Sequence, residues 1–393
     1  MIQVTGSLQI KKNIYYAVLN YRDEKNIRKQ KWISTQIKSI KGNKKLVERE
    51  LETLRLKLET ELNLTKKEIL DNRGDILFSD FMLEWLEMVK PTMEYTTYAG
   101  YKRVVEGRVK KYFSKLGVSL NNLKPYYIQD FYNELLKEGL KGASVRRYHA
   151  NIRKALQYAV KIEIIPSNPA DKVDVPKTEK YISSYYNKNE LDILFDKIKG
   201  EVIELPILIA TYYGLRRSEV LGLKWDAIDF EAKTIIIKHT VSEASVNGKH
   251  TIIAKNRCKN KSSYRTLPLI PYIENLFIIE KQRQEENKNI FKDSYKNKDN
   301  YICVRADGSL IKPDYITHRF CEIIRENNLK YIRVHDLRHS CASLLLAKGV
   351  HIKAIQEWLG HSSYNTTADI YGHLEVESKT KSADIINNIF KSA

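Results

Sequence analysis

The chain has 393 residues, with Lys and Arg outnumbering Asp and Glu 67 to 48 for a formal charge of +19. A hydrophobic content of 42% at this length supports two or three folded domains, and a charge of that size and sign points to a polyanionic partner. No run approaches the roughly eighteen apolar residues of a membrane span, and the opening Met-Ile-Gln-Val-Thr-Gly lacks a signal-peptide pattern.

The four cysteines, Cys258, Cys303, Cys321 and Cys341, form no Cys-x-x-Cys pair. Reduced thiols in a cytoplasmic protein are the simplest reading. The nine histidines show no His-Glu-x-x-His spacing, so neither a metal nor a cofactor is expected.

Residues 1–45 carry eleven Lys or Arg against Asp23 and Glu24, a net +9. Three strand-like runs follow one another there: Ser7–Lys11, Ile14–Tyr21 and Arg28–Thr35, with Asp23 to Asn26 as a turn. A helix should come next, because Leu51, Leu54, Leu58 and Leu62 recur at helical spacing. A small basic sheet backed by a helix can lie in a major groove. Lys11, Lys12, Arg28, Lys29 and Lys31 are its candidate DNA contacts. Tyr15, Tyr16 and Trp32 are expected in the core, since so small a sheet needs its aromatics for burial.

Residues 66–75 read as a polar linker, and from Ile76 to about Pro169 the pattern is helical throughout. Phe78, Phe81, Met82, Trp85, Leu86 and Val89 form a stripe that stops before Pro91. Tyr95 to Phe113 reads as a second helix, Tyr126–Glu138 as a third with Gly139 as its stop, and Ser144 as the cap of a fourth. Lys102, Arg103, Arg146 and Arg147 lie on outer faces of these helices and are candidate DNA contacts. Asn168 to Ser184 forms a second linker, and Asn187 or Asn189 is a plausible cap for the helix beyond it.

An apolar run, Leu205–Tyr213, then leads into Gly214-Leu215-Arg216-Arg217-Ser218-Glu219. On a helix the two arginines point about 100° apart, so only one can face a site. Thr234–Val241 reads as a strand, Asn247-Gly248 as a hairpin turn and Thr251–Ala254 as the return. Lys259 and Lys261 follow on a polar turn before Ser263-Tyr-Arg265-Thr-Leu-Pro268. Residues 281–301 look like an exposed excursion, and Asp314–Asn328 like a helix with Tyr315 and Phe320 inward.

The densest chemistry lies between Tyr331 and Leu374: His335-Asp-Leu-Arg338-His339, an apolar helical run, Leu359-Gly-His361, and Tyr371-Gly-His373. Spacing of three puts His335 and Arg338 on one helix face. Two imidazoles, a guanidinium and a phenol in this compass can bind a phosphodiester and attack it.

Taken in order, Gly-Leu-Arg-x-x-Glu, a lysine before Ser-x-Arg-x-x-Pro, His-x-x-Arg, Leu-Gly-His and Tyr-x-His resemble the tyrosine recombinases, the phage-integrase family, and among them the integrases of conjugative transposons. Tyr213 stands where Thr is commoner in the first box, and Asn260 where Thr usually follows the lysine. The resemblance implies an α+β protein of several domains. These are an arm-type DNA-binding domain of sheet plus helix over 1–66, an all-helical core-binding domain over 76–172, and a mainly α catalytic domain with a small antiparallel sheet over 184–393.

It also implies the catalytic set Arg216, Lys259, His335, Arg338, His361 and Tyr371, where counting back from Pro268 selects Lys259 and leaves Lys261 as the alternative. In such a set two guanidiniums bind the non-bridging oxygens, and His335 serves as base for a phenol whose ordinary pKa is about 10. Lys259 protonates the leaving 5′-oxygen, and Tyr371 forms a 3′-phosphotyrosyl ester. The implied function is site-specific recombination that integrates and excises a mobile element. The implied partners are double-stranded DNA, three further copies of the chain in a tetramer, and an excisionase or DNA-bending protein, with no membrane. The tail Lys379–Ala393, with Ala383, Ile385, Ile386, Ile389 and Phe390 at helical spacing, is expected to dock on its own core or on a neighbouring subunit.

Overall fold

The structure, a computed structural model, describes residues 2–22, 27–40, 42–63, 74–178, 184–256, 264–361, 386–387 and 390. The fold is α+β, with small antiparallel sheets among many helices. It divides into two compact units, one of residues 1–93 and 101–178 and one of residues 94–100 and 179–393. The turn at 23–26, the catalytic candidates Lys259 and Tyr371, the alternative Lys261, and nearly all of the tail lie outside the described residues.

In the first unit, β1 (Thr5–Lys11), β2 (Ile14–Arg22) and β3 (Arg28–Lys38) form an antiparallel sheet in sequence order. Lys12 and Asn13 join β1 to β2 with φ of 48° and 61°, the two left-handed residues of a tight hairpin turn. The leucine repeat forms one face of α1 (Lys44–Asn63): Leu51, Leu54 and Leu62 pack with buried Leu58 against Val4, Leu19 and Ile33. Trp32 departs from its expected place and is 51% exposed. It pairs with Val18 in the ladder, and alternation along β3 sends Ile33 toward α1 and Trp32 to the other face. There its ring lies 6.5 Å from that of half-buried Tyr16.

The helical part comprises α2 (Phe78–Val89), α3 (Tyr95–Val104), α4 (Lys110–Leu116), α5 (Pro125–Lys137) and α6 (Gly142–Lys161). The expected single helix from Tyr95 to Phe113 is broken by a π turn over Val105–Val109, where Gly107 has φ −78° and ψ −111°. The inserted residue keeps both Val105 and Val109 buried. Gly139 follows α5 with φ 86°. α6 starts two residues before Ser144, with Lys141 at its N-cap. A Cβ on Gly142 would lie 2.5 Å from the Lys177 carbonyl oxygen, so the chain there needs glycine.

In the second unit, α7 (Lys188–Ile198) begins with a reciprocal cap. Glu190 N–H donates to Asn187 Oδ1 at 3.0 Å and Asn187 N–H to Glu190 Oε2 at 2.7 Å. α8 (Glu204–Tyr213) is buried on nearly every side, which makes it the central helix. α9 (Arg217–Leu221) follows. The expected strand Thr234–Val241 is two strands, β5 (Thr234–Ile237) and β6 (Thr240–Val246). β5 lies between β4 (Ile228–Asp229) and β8 (Arg265–Pro268), and β6 pairs with β7 (Lys249–Lys255) across Asn247-Gly248, whose φ values are 52° and 74°.

The segment 281–301 is mostly exposed, as expected, although its first half continues α10 (Pro271–Phe291). Gln284 is an exception: it is buried beside Glu280, and its Nε2 donates to the Ile302 carbonyl at 2.8 Å. α11 (Pro313–Glu326), α12 (Asp336–Ala347) and α13 (Ile352–Leu359) complete the unit. Leu194, Ile207, Ile235, Phe277, Phe320 and Leu337 are among the residues of its one large core. Among the described residues no helix is long and apolar enough to cross a membrane.

Candidate active site

Three chain reversals meet beside α8. The first is the end of α8 itself, where Gly214 takes φ 61° and turns the chain so that Arg216 becomes the N-cap of α9. The second is the start of α12, with His335 at its N-cap and Arg338 one turn in. The third is the end of α13, where Gly360 takes φ 70° and releases His361. Left-handed geometry at a helix terminus favours glycine because it lacks Cβ.

The two arginines are laced across these turns. Arg338, 1% exposed, donates from Nη1 to the Gly214 carbonyl at 2.7 Å and from Nε to His361 Nε2 at 3.2 Å. Arg216 donates from Nη2 to the Gly360 carbonyl at 3.4 Å. Each guanidinium is thus tied to the glycine that ends the other's neighbouring helix. Arg216 also pairs through Nη1 with Glu219 Oε1 at 2.5 Å, while its own N–H donates to Glu219 Oε2 at 3.1 Å. Glu219 is 2% exposed. Burial raises its pKa, but Arg265, Arg216 and Arg338 together outweigh burial and hold it below the ordinary carboxylate value.

Arg217 leaves the site. Its Nη1 donates to the Pro313 carbonyl at 2.8 Å and to the Thr317 hydroxyl, on the side of α11. The two adjacent arginines part because Arg216 is the extended N-cap, with φ −69° and ψ 148°, whereas Arg217 is the first helical residue.

His335 is open to solvent on one side and lies against His339, ring centroids 5.5 Å apart and planes perpendicular. Desolvation by the surrounding protein, then His339 and Arg338, lower its pKa to about 4. Buried His361 is lowered to about 3 by burial and then by Arg338 and Arg216. Asp336, fully buried, accepts from Arg333 Nε at 3.0 Å and Nη2 at 2.7 Å, fixing the first turn of α12 on which His335 sits. Ser340 Oγ donates to the Asp336 carbonyl at 3.1 Å and accepts from Tyr186 N–H at 2.9 Å, which ties α12 to the start of the unit.

The site therefore brings together Arg216, His335, Arg338 and His361 from three separated stretches. Lys259 and Tyr371 fall outside the described residues, and chain position alone puts Lys259 between β7 and β8. Arg265, which opens β8, was not singled out from the sequence, although it stands in the Ser-x-Arg-x-x-Pro string; His339 and Asp336 were likewise unassigned within their motif.

The candidate DNA contacts sit elsewhere. Lys11, Lys12, Arg28, Lys29 and Lys31 are exposed on the N-terminal hairpins. Arg103 and Arg147 are exposed on α3 and α6, Lys102 pairs with Glu106 at 2.9 Å, and Arg146 Nε donates to the Pro176 carbonyl at 2.8 Å.

Comparison with known proteins places the chain by family and fold. The phage integrase family model matches residues 186–378, and the phage integrase N-terminal SAM-like domain matches residues 77–136. A XerC-like tyrosine recombinase of Caldanaerobacter subterraneus subsp. tengcongensis is 27% identical over 333 residues, covering 80% of this chain and 84% of the relative. The ICEBs1 integrase of Bacillus subtilis is 28% identical over 301 residues, covering 74% and 77%.

Among solved structures, the Tn1549 transposon integrase in complex with a circular intermediate DNA superposes with a TM-score of 0.62 at 19% identity, over 76% of this chain and 98% of that one. A lambda integrase tetramer bound to a Holliday junction superposes with a TM-score of 0.53 at 15% identity, over 91% and 95%. These likenesses concern the fold. Fold and relatives define an enzyme of site-specific DNA recombination. The chain belongs to the tyrosine recombinase, or phage-integrase, family.

Proposed function

We propose that this recombinase cuts and rejoins DNA through a 3′-phosphotyrosyl ester on Tyr371, with Arg216 and Arg338 binding the scissile phosphate. The reciprocal lacing of the two guanidiniums across Gly214 and Gly360 is the observation that carries the reading. It holds two permanent positive charges in one place, with the buried carboxylate of Glu219 paired to Arg216. A phosphodiester under in-line attack gathers negative charge on its non-bridging oxygens, and preset cations stabilise it there.

His335 has its pKa lowered to about 4, so it is neutral at pH 7 and can accept the phenol proton. Lys259 protonates the departing 5′-oxygen, with Lys261 the alternative donor. His361, bonded to Arg338, steadies the phosphate. The phosphotyrosyl ester conserves the energy of the broken bond, so a 5′-hydroxyl from another strand can reseal it.

Around this centre we place an arm-type DNA-binding domain at 1–66, a helical core-binding domain at 76–172 and the catalytic domain at 184–393. Lys11, Lys12, Arg28, Lys29 and Lys31 contact DNA from the first, and Lys102, Arg103, Arg146 and Arg147 from the second. Four copies act on two duplexes, integrating and excising a mobile element in the bacterial cytoplasm, at the nucleoid, with an excisionase or DNA-bending protein setting direction. The DNA-bound Tn1549 and lambda integrases, the latter a tetramer on a Holliday junction, support this assembly by analogy.

Nicked duplexes that trap the cut strand test the reading. Wild type should give a covalent protein–DNA adduct, and Tyr371→Phe should bind the same DNA without one. An adduct in Tyr371→Phe overturns the choice of nucleophile.

A further inference from the structure

Resting on that reading of the site, we propose that Arg265 is a positioning residue that sets the phosphate-binding guanidinium of Arg216 and the turn carrying His361 at a fixed separation. Arg265 opens β8 and only 7% of its side chain is exposed, next to a Glu219 side chain that is 2% exposed. A buried guanidinium needs its N–H groups met by acceptors of matching geometry. Arg265 Nη2 donates to Glu219 Oε2 at 3.2 Å, and Nε donates to the Trp358 carbonyl at 2.8 Å.

Those two acceptors belong to different arms of the site. Glu219 is the residue whose other oxygen grips Arg216 Nη1. Trp358 lies near the C-terminus of α13, two residues before Gly360, whose carbonyl receives Arg216 Nη2. A closed circuit results: Arg265 to Glu219 to Arg216 to Gly360, and back along the chain to Trp358 and Arg265. Rotating Arg216 toward or away from a phosphate would break at least one of its bonds.

Charge gives the second part. Glu219 carries one negative charge shared by Arg216 and Arg265. With Arg265 removed, more of the Glu219 charge falls on Arg216, with only Arg338 sharing it at longer range, and a guanidinium neutralised in a tight pair offers less to a phosphate. Arg265 therefore keeps Arg216 available as a net cation while also aiming it. It touches no reacting atom in this scheme and acts through Glu219 and Arg216. In the sequence it directly follows the stretch that carries Lys259 and Lys261, so β8 also anchors one end of that stretch.

The test compares adduct formation by wild type, Arg265→Gln and Arg265→Lys at saturating DNA. It uses an ordinary phosphodiester and a methylphosphonate at the scissile position. The methylphosphonate replaces a charged non-bridging oxygen by a methyl group, so it lessens the need for a well-placed cation. Arg265→Gln should bind DNA within a few-fold of wild type and lose about a hundredfold in rate on the phosphodiester, in the range for loss of a preset charge stabiliser. Its loss on the methylphosphonate should be under about tenfold, by the same electrostatic argument.

Arg265→Lys keeps the charge but not the fork, and should show the same contrast at smaller size; it decides the matter if Arg265→Gln does not fold. Equal losses on the two linkages would mean that Arg265 only supports the fold, and wild-type rates in both variants would mean that it does not set Arg216. Either result overturns the proposal. Failure of wild type to form any adduct would instead strike the underlying reading of the reaction.

Discussion

Arg338 Nε and His361 Nε2 lie 3.2 Å apart, and the chemistry of the pair leaves one assignment. A guanidinium has donors and no acceptor, so the imidazole nitrogen must accept. His361 is then neutral, with its proton on Nδ1. Burial and the neighbouring arginines, which lower its pKa to about 3, act in the same direction. Any hydrogen bond that His361 donates to a phosphate in this arrangement comes from Nδ1.

The same reasoning sets the pH dependence. His335 is lowered to about 4 from an ordinary value of 6.5. As a base it works when neutral, above its folded pKa. Adduct formation at subsaturating DNA, which reports the free enzyme, should stay level from pH 7 down to pH 5.5 and fall only as pH approaches 4. Because both folded pKa values are depressed, the unfolded chain takes up protons first, and these two groups make stability fall as pH drops below 6.5. A rate that halves near pH 6.5 would show that His335 titrates as an ordinary histidine and would remove the argument that it is held neutral.

Glu219 holds the centre of a cationic cluster while nearly excluded from water. Removing one partner of a buried ion pair typically costs about 3–5 kcal/mol. Glu219→Gln should therefore lower the unfolding free energy obtained from urea titration by an amount in that range and move the midpoint down, whereas Glu285→Gln, on the exposed side of α10, should change both little. Cleavage should fall as well, since Arg216 loses its anchor. Equal midpoints for the two variants would contradict the buried network.

Gly214 combines φ 61° with a crowded position: a Cβ there would stand 2.4 Å from Leu359 Cδ2 and 3.4 Å from Cys341 Sγ. Left-handed backbone costs a side-chain-bearing residue roughly 1–2 kcal/mol, and displacing Leu359 disturbs the end of α13 that leads into His361. Gly214→Ala should lower the melting temperature and reduce adduct formation beyond what its stability loss explains. Measuring both at a temperature well below unfolding separates the two effects; wild-type cleavage there would show that the Gly214 turn does not set Arg338.

A bridging 5′-sulfur separates the two lysines. A thiolate leaves without a proton, so the variant lacking the general acid should recover on the sulfur substrate. Lys259→Ala should be slow on an ordinary 5′-oxygen and near wild type on sulfur, while Lys261→Ala should show no such contrast. The reverse pattern would move the role to Lys261.

What the sequence determined by itself is what depends on neighbours in the chain. Helical periodicity places α1, α2 and α5, because each element buries one face and its side chains repeat with the backbone. Asn247-Gly248 marks the turn between β6 and β7, and the cap of α7 falls at Asn187, one of the two asparagines the sequence offered. His335, Arg338 and His361 were legible because each stands in a short motif. Arg216 was chosen over Arg217 because the Gly-Leu-Arg-x-x-Glu box it resembles puts its phosphate-binding arginine there.

Tertiary structure decided whatever depends on groups far apart in sequence. Trp32 was expected inside and is half exposed, because which face of a strand meets α1 is set by packing across the sheet. The polar segment beyond Lys281 is mostly on the surface, as read, but Gln284 turns inward to the Ile302 carbonyl, a contact that no local pattern marks. Arg265 gave no local sign of its place, since its partners Glu219 and Trp358 are 46 and 93 residues away. The burial of His361 and the partial desolvation of His335, and with them the lowered pKa values, exist only once α8, α12 and α13 come together, because desolvation is a property of the assembled protein and not of a stretch of chain.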